Sequence, residues 1–299
     1  MNDDKLINLM NDIDESYIDE AMPKRFRRRF PLARLISIAA CIALLIGIGA
    51  SVFIYNSAFA LPSPSGKLET KHISGSEYDS VISGTDSTVG TLDFMGIAYG
   101  SGYYVRKSET AAENIGIAIE KGIPLGLGSA DIYEISGISR DFAIAVLGAD
   151  SEKYFVYVNM SYFAATREIL ENALSLEENA VFTSAYYYYY QGKDGEAKTA
   201  EFIGVGGEYV YDAIFGGKDK ELIASHDADS DICMKLCMEI PAIGCKNAAV
   251  SLTADGTAYI TVFGMNYRFD LGRIRAHRLI NHIAENCKGY DIIIISEER

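Results

Sequence analysis

The densest run of groups able to hold a metal is SHDADSDICMKLC, residues 225–237. Asp227, Asp229 and Asp231 alternate as the opening ligands of a calcium loop do. The sixth position, however, is Ile232 where the sharp turn needs Gly, and the twelfth is Met238 where a bidentate Glu should close the shell. His226 with Cys233 and Cys237 offers zinc donors but no fourth ligand at a suitable spacing. His277 and His282 stand five residues apart, about 140° around a helix, so they cannot face one ion together. The run therefore reads as a solvated acidic loop, and neither a metal nor a cofactor is expected. Cys233, Cys237, Cys245 and Cys287 permit two disulfides in three pairings, or remain as buried reduced thiols. No G-x-S-x-G, S-x-x-K, H-E-x-x-H or P-loop sequence occurs. Scattered carboxylates could still form an acid/base pair in space.

The elements that would position these groups are mostly strands. FMGIAYGSGYYVRKS (94–108) reads as a hairpin turning at Gly100–Gly102. Residues 131–159 read as three strands, with turns at 136–141 and 148–153. AYYYYYQGKDGEAKTAEFIGV (185–205) and VSLTADGTAYITVFGMNYRF (250–269) are hairpins, the second turning on Asp255-Gly256. In the tyrosine run, Tyr186, Tyr188 and Tyr190 share one strand face, and Tyr187 and Tyr189 the other. Tyrosine suits a half-wet sheet face without any ligand, so the run is expected to be structural rather than an aromatic binding platform. Two segments have helical periodicity. Residues 161–176 offer Phe163, Thr166, Ile169, Leu170 and Ala173 as one stripe, and 273–287 offer Ala276, Leu279, Ile280, Ile283 and Cys287. Strands joined by hairpins, with a few helices between them, predict an α+β fold with antiparallel sheets.

The rest of the chain divides by composition. Residues 35–55 carry no charge, and as a helix this run of about 21 residues spans ~31 Å, matching a hydrocarbon core of ~30 Å. A transmembrane helix is therefore expected at 35–55, longer than the usual h-region of a signal peptide. An A-x-A arrangement at Ala58 and Ala60 leaves cleavage after Ala60 as the alternative. Lys24, Arg25, Arg27, Arg28, Arg29 and Arg34 precede the run, against Lys67 and Lys71 after it, which places the N-terminus in the cytoplasm. Ala39, Ala43, Gly47 and Ser51 recur every four residues, a small-residue face that lets two membrane helices pack as a homodimer. Residues 56–91 have linker composition, and 92–299 are expected to form the extracytoplasmic domain, with a split near 176–181 if it has two halves. Charges balance before residue 35, so the net charge of −14 lies beyond the apolar run. An acidic domain of this kind excludes nucleic acid as its partner.

Residues 1–34 form a cytoplasmic arm with an amphipathic helix over 3–21. Leu6, Leu9, Met10, Ile13, Tyr17 and Ala21 fall on one face, acids on the other, and Pro23 ends it. A lone helix of this length is marginal in water, and its acids disfavour the anionic inner leaflet. It is expected either to dock on a cytoplasmic protein through Leu6, Leu9, Ile13 and Tyr17 or to remain a partly ordered tail.

INLMNDIDESYIDEA (7–21), followed by a basic block and one span, resembles the N-terminus of single-pass membrane proteins of Clostridia and related Firmicutes, some grouped with anti-sigma-factor-like regulators. Asp12, Ile13, Asp14, Ile18, Glu20 and Ala21 carry the likeness, which departs from the usual pattern at Glu15. The zinc-type motif His-x3-Cys-x2-Cys is absent. The resemblance implies a regulator of extracytoplasmic state with a sigma factor as its inner partner. The expectation is a non-enzymatic membrane protein whose acidic outer domain senses or binds something. The alternatives are an anchored extracellular enzyme, such as a cell-wall hydrolase, and a structural envelope protein.

Overall fold

The computed structural model describes residues 68–76, 78, 96–125, 128–191, 196–225 and 231–295. All belong to one compact unit, Leu61–Arg299. The arm, the apolar run 35–55 and the residues around His226 lie outside the described residues. Among the described residues no helix is long and apolar enough to cross a membrane.

The chain runs β1 (Glu69–Ser74), β2 (Gly96–Tyr99), β3 (Gly102–Thr110), β4 (Ile115–Leu125), β5 (Gly128–Ile135), β6 (Ala143–Gly148) and β7 (Tyr154–Asn159). Helices α1 (Arg167–Leu174) and α2 (Leu176–Asn179) follow, then β8 (Val181–Gln191), β9 (Glu196–Ile203) and α3 (Glu208–Phe215). The remainder is β10 (Ile223–Ser225), β11 (Ile232–Ile240), β12 (Cys245–Thr253), β13 (Thr257–Val262), β14 (Met265–Asp270), α4 (Arg273–Asn286) and β15 (Lys288–Ile295).

Two sheets result. One has nine strands in the order β1-β15-β9-β8-β11-β12-β13-β14-β10, and the other six in the order β2-β3-β7-β6-β5-β4. Every pairing is antiparallel except β1 with β15. The α+β class with antiparallel sheets is thus observed, and the hairpins named above form where turn residues interrupt alternating apolar runs. Strands β2 to β7 form the smaller sheet, β1 joins the strands after Val181 in the larger, and the two sheets share a core. Val156 and Val158 of the smaller sheet, Leu236 and Val250 of the larger, and Leu170, Ile214 and Ile280 of the helices belong to one buried cluster. A second, smaller cluster around Ile132, Ile144 and Tyr157 lies on the other face of the six-stranded sheet.

The sheets are pinned at one seam. The Ser108 and Thr110 hydroxyls of β3 donate to the Ile243 and Ala242 carbonyls, at 2.6 and 2.7 Å, in the turn joining β11 to β12. Gly244 closes that turn at φ +59°, and a Cβ there would meet the Glu109 carbonyl oxygen at 2.0 Å. Only glycine allows this approach. The long edge strand β4 is guarded differently: three register shifts and Pro124 break the ladder it could offer a neighbour.

The structure differs from the sequence expectation in four places. Residues 69–74, assigned above to the linker, form β1. Only Ile73 of this strand is buried, so its polar composition hides it. The stripe expected on α1 is rotated. Leu170, Ala173 and Leu174 are buried, while Ile169 is exposed on the helix and Phe163 lies before it, since Thr166 is the N-cap and the helix begins only at Arg167. Residues 233–237, given no element above, lie in a strand, and a register shift at its start sends Cys233 into the core while Cys237 faces the other side. The short helix α3 was not expected at all.

Candidate functional site

The helices α1 to α3 and the start of β8 enclose a groove of about 570 Å³. Its lining comes from two stretches of chain, 171–182 and 206–216. Thr166 caps α1 by accepting from the Ile169 amide, and the Asp219 carboxylate accepts from the Glu168 amide at 3.0 Å. The helix stops at Ser175, φ 43°, whose hydroxyl donates to the Gly137 carbonyl. That turn starts α2 at once and leaves Glu177 exposed at the mouth. Ala180, Val181 and Phe182 then lead into β8 and form the floor.

The opposite wall is α3. Glu208, Tyr211, Asp212 and Phe215 line the groove at i, i+3, i+4 and i+7, one face of the helix. Val210 and Ile214 turn into the core. Gly207 supplies the entry to α3 at φ 142°, a conformation side chains rarely adopt, and has open space where a Cβ would be.

Two guanidinium groups fix the far end of α3. Buried Arg167 donates to the carbonyls of Ile214, Gly216 and Lys218, at 2.6, 3.4 and 3.2 Å. Arg275 of α4 donates to the Asp212 carbonyl. Cations at a helix C-terminus satisfy its last carbonyls and its dipole. Burial, and then the neighbouring Arg275 charge, holds the Arg167 pKa below its ordinary value. Both cations are therefore engaged with backbone.

The charges lining the groove are all of one sign: Glu171, Glu177, Glu208 and Asp212. The Tyr211 hydroxyl donates to the Glu171 carboxylate, and burial followed by that bond pushes the tyrosine pKa up. Among the described residues no ion pair reaches Glu177, Glu208 or Asp212. Val181 is 49% exposed above the more deeply placed Phe182 and Phe215. The result is an apolar floor under an acidic rim, which can hold a cation that also carries an apolar group. Among the described residues no three His, Cys, Asp or Glu side chains are grouped to hold a metal ion.

A second polar cluster lies on the face of the nine-stranded sheet away from the helices. Glu201, Tyr186, Lys235 and Ser251 stand opposite one another across β9, β8, β11 and β12. The Glu201 carboxylate accepts from Lys71 Nζ at 2.5 Å and from the Tyr186 hydroxyl at 2.9 Å. Burial lowers the Lys235 pKa and raises that of Cys237, the latter offset in part by a Ser184 hydrogen bond and the Lys235 charge. A thiol raised in this way is a poor nucleophile. Glu201 thus ties Lys71 of β1 to Tyr186 of β8, a structural use of the carboxylate.

The other residues singled out from sequence are dispersed. The tyrosine run divides as the strand period requires: Tyr187 is fully buried in the core and stacks on Tyr189 at 5.7 Å, while Tyr190 is 77% exposed. Cys233 and Cys245 are buried, Cys237 and Cys287 half-buried, and all four are free thiols. Burial pushes the Cys233 thiol up to about 12. His277 is buried against the Ala254 carbonyl at 3.0 Å, and His282 packs on Tyr209 at 4.0 Å between ring centres. Leu6, Leu9, Ile13, Tyr17, Ala39, Ala43, Gly47 and Ser51 lie outside the described residues. The sequence singles out none of the groove acids, because Glu171 and Glu177 meet Glu208 and Asp212 only through the fold. Compared with family models, with curated proteins and with solved structures, the chain gives no match in any of the three.

Proposed function

We propose that the chain is a single-pass bacterial membrane protein whose acidic extracytoplasmic domain binds a ligand in the groove between α2 and α3. Its cytoplasmic helix docks a protein, in the manner of an anti-sigma-like regulator with a sigma factor as partner. The observation that carries the binding reading is the groove itself: a concave surface of ligand size whose floor is apolar and whose Glu177, Glu208 and Asp212 form no ion pair among the described residues. The uncharged run 35–55 behind six cations supports the topology.

Two measurements test it. On intact cells, an impermeant thiol reagent should label a cysteine placed within 62–67 above the level of the parent chain, and the membrane fraction should hold the full-length mass. A product beginning at Leu61 would show the run to be a signal peptide. In the arm, Ile13→Asp should abolish capture of a purified candidate sigma factor, because one buried apolar side chain contributes roughly 1.5–3 kcal/mol and a charge in its place adds desolvation. Asp14→Ala, on the opposite face, should change little. Equal harm from both substitutions would remove the docking stripe.

The same carboxylates support a second reading, an anchored cell-wall glycan hydrolase, in which one acts as general acid and another as base. Release of reducing ends from peptidoglycan by the full chain, lost in Glu208→Gln, would replace the binding reading with this one.

A further inference from the structure

We propose that the ligand of the groove is a cationic amphipathic peptide. Its ammonium or guanidinium groups would face Glu177, Glu208 and Asp212, and an apolar side chain between them would lie on Val181, Phe182 and Phe215. This rests on the binding reading above and adds the chemistry of the ligand.

The sign of the charge comes first. Every charged side chain lining the groove is acidic, and the two nearest guanidiniums are turned to the carbonyls of Ile214, Gly216, Lys218 and Asp212. Among the described residues no basic side chain lines the groove, so a cationic ligand would meet its carboxylates without a competitor there. The net charge of −14 draws cations toward the molecule and repels anionic lipid or glycan.

The floor narrows the class further. Val181, the first residue of β8, is half exposed with Phe182 and Phe215 beside it. A polyamine would satisfy the carboxylates but leave this apolar floor against water. A bare metal ion would find no cluster of donors among the described residues. An alternating basic and apolar segment fits both surfaces, since its extended side chains point alternately to rim and floor. The volume, about 570 Å³, accepts a few side chains and excludes a folded partner domain.

The test uses the full chain in nanodiscs of uncharged zwitterionic lipid, with empty nanodiscs subtracted. Fluorescent alternating Lys-Leu, Ser-Leu and Glu-Leu peptides serve as probes, followed by anisotropy. The Lys-Leu peptide should bind, and the Ser-Leu and Glu-Leu peptides should not. Glu177→Gln with Glu208→Gln should weaken binding about ten-fold, as expected for two rim charges. Val181→Trp fills the floor without altering charge, suits a strand position, and should weaken it at least as much. A melting temperature that leaves both variants fully folded at the assay temperature separates these effects from unfolding. Failure of the Lys-Leu peptide to bind overturns the proposal. So does binding that survives both variants, which would be diffuse charge attraction. If Ser-Leu or Glu-Leu binds instead and Val181→Trp abolishes it, the ligand class is wrong while the binding reading stands. If Lys-Leu binds in the groove but the 62–67 site is not labelled from outside, the peptide site stands and the topology falls.

Discussion

Glu201 and the groove acids are chemically alike and used in opposite ways. Glu201 is buried on the polar face of the large sheet, where Lys71 and the Tyr186 hydroxyl take up both its oxygens. Glu177 and Glu208 are exposed on a rim, and no described cation pairs with them. A buried carboxylate must be partnered or it destabilises the fold, so its partners reveal a structural duty. An exposed acid can remain unpartnered at little cost, which leaves it available to something outside. The contrast assigns architecture to one cluster and recognition to the other.

The contrast would be sharpened most by Glu201→Ala. Losing this carboxylate strands the Tyr186 hydroxyl and frees Lys71, and should cost about 2–3 kcal/mol, below the range for fully buried pairs because Lys71 reaches water. Chemical denaturation followed by tyrosine fluorescence reads the loss. Glu201→Gln should lose less, since an amide oxygen can still accept from Tyr186. A change no larger than that of a surface substitution would break the distinction.

Asp255 provides an intermediate case. It is exposed, yet it accepts from the Thr253 hydroxyl and the Thr257 amide in the turn between β12 and β13, and these bonds hold its pKa below the usual carboxylate range. A depressed folded pKa means that its contribution is fully present above the unfolded value, near 3.9, and disappears as pH falls through the folded value. Asp255→Asn should therefore lower stability at neutral pH by up to about 1 kcal/mol, with solvent screening included. Its difference from the parent should vanish in strong acid. A gap that persists at the lowest pH would mean the bonds are not charge-assisted.

The smallest effects belong to the groove. Glu177→Gln should leave the denaturation midpoint unchanged. Glu208→Gln should lower it only slightly, since an acid in the first turn of α3 favours the helix dipole. A clear loss from either would show the rim acids to be part of the framework, and the assignment to recognition would fall with it.

Much of the fold was legible because its signals are local. Gly100, Asp255-Gly256 and the five tyrosines announce strands and turns within a few residues, and the stripe Ala276, Leu279, Ile280, Ile283 fits α4 as observed. What stayed hidden depends on distant chain. β1 buries a single apolar side chain and becomes a strand only because β15 offers it an edge. On α1, Thr166 caps the helix and leaves Phe163 outside it, and packing against the core buries Leu170, Ala173 and Leu174 rather than Ile169. Arg167 reads as a surface residue of that helix, yet it is buried as a cap for the carbonyls ending α3, some fifty residues on. The groove inherits all of this: Glu171, Glu177, Glu208 and Asp212 meet only after three helices are placed, so no motif could announce them.

The pairing of β1 with β15 also constrains how the molecule is made. Glu69 sits beside Tyr290, a contact spanning about two hundred residues and among the slowest kind to form. During synthesis β1 emerges about two hundred residues before its partner. Until β15 arrives, the nine-stranded sheet ends at β9 with an open edge, and Ile73 has no strand to lie against. β15 thus completes the nine-stranded sheet, and β9 presents its unpaired backbone to any neighbour until it does.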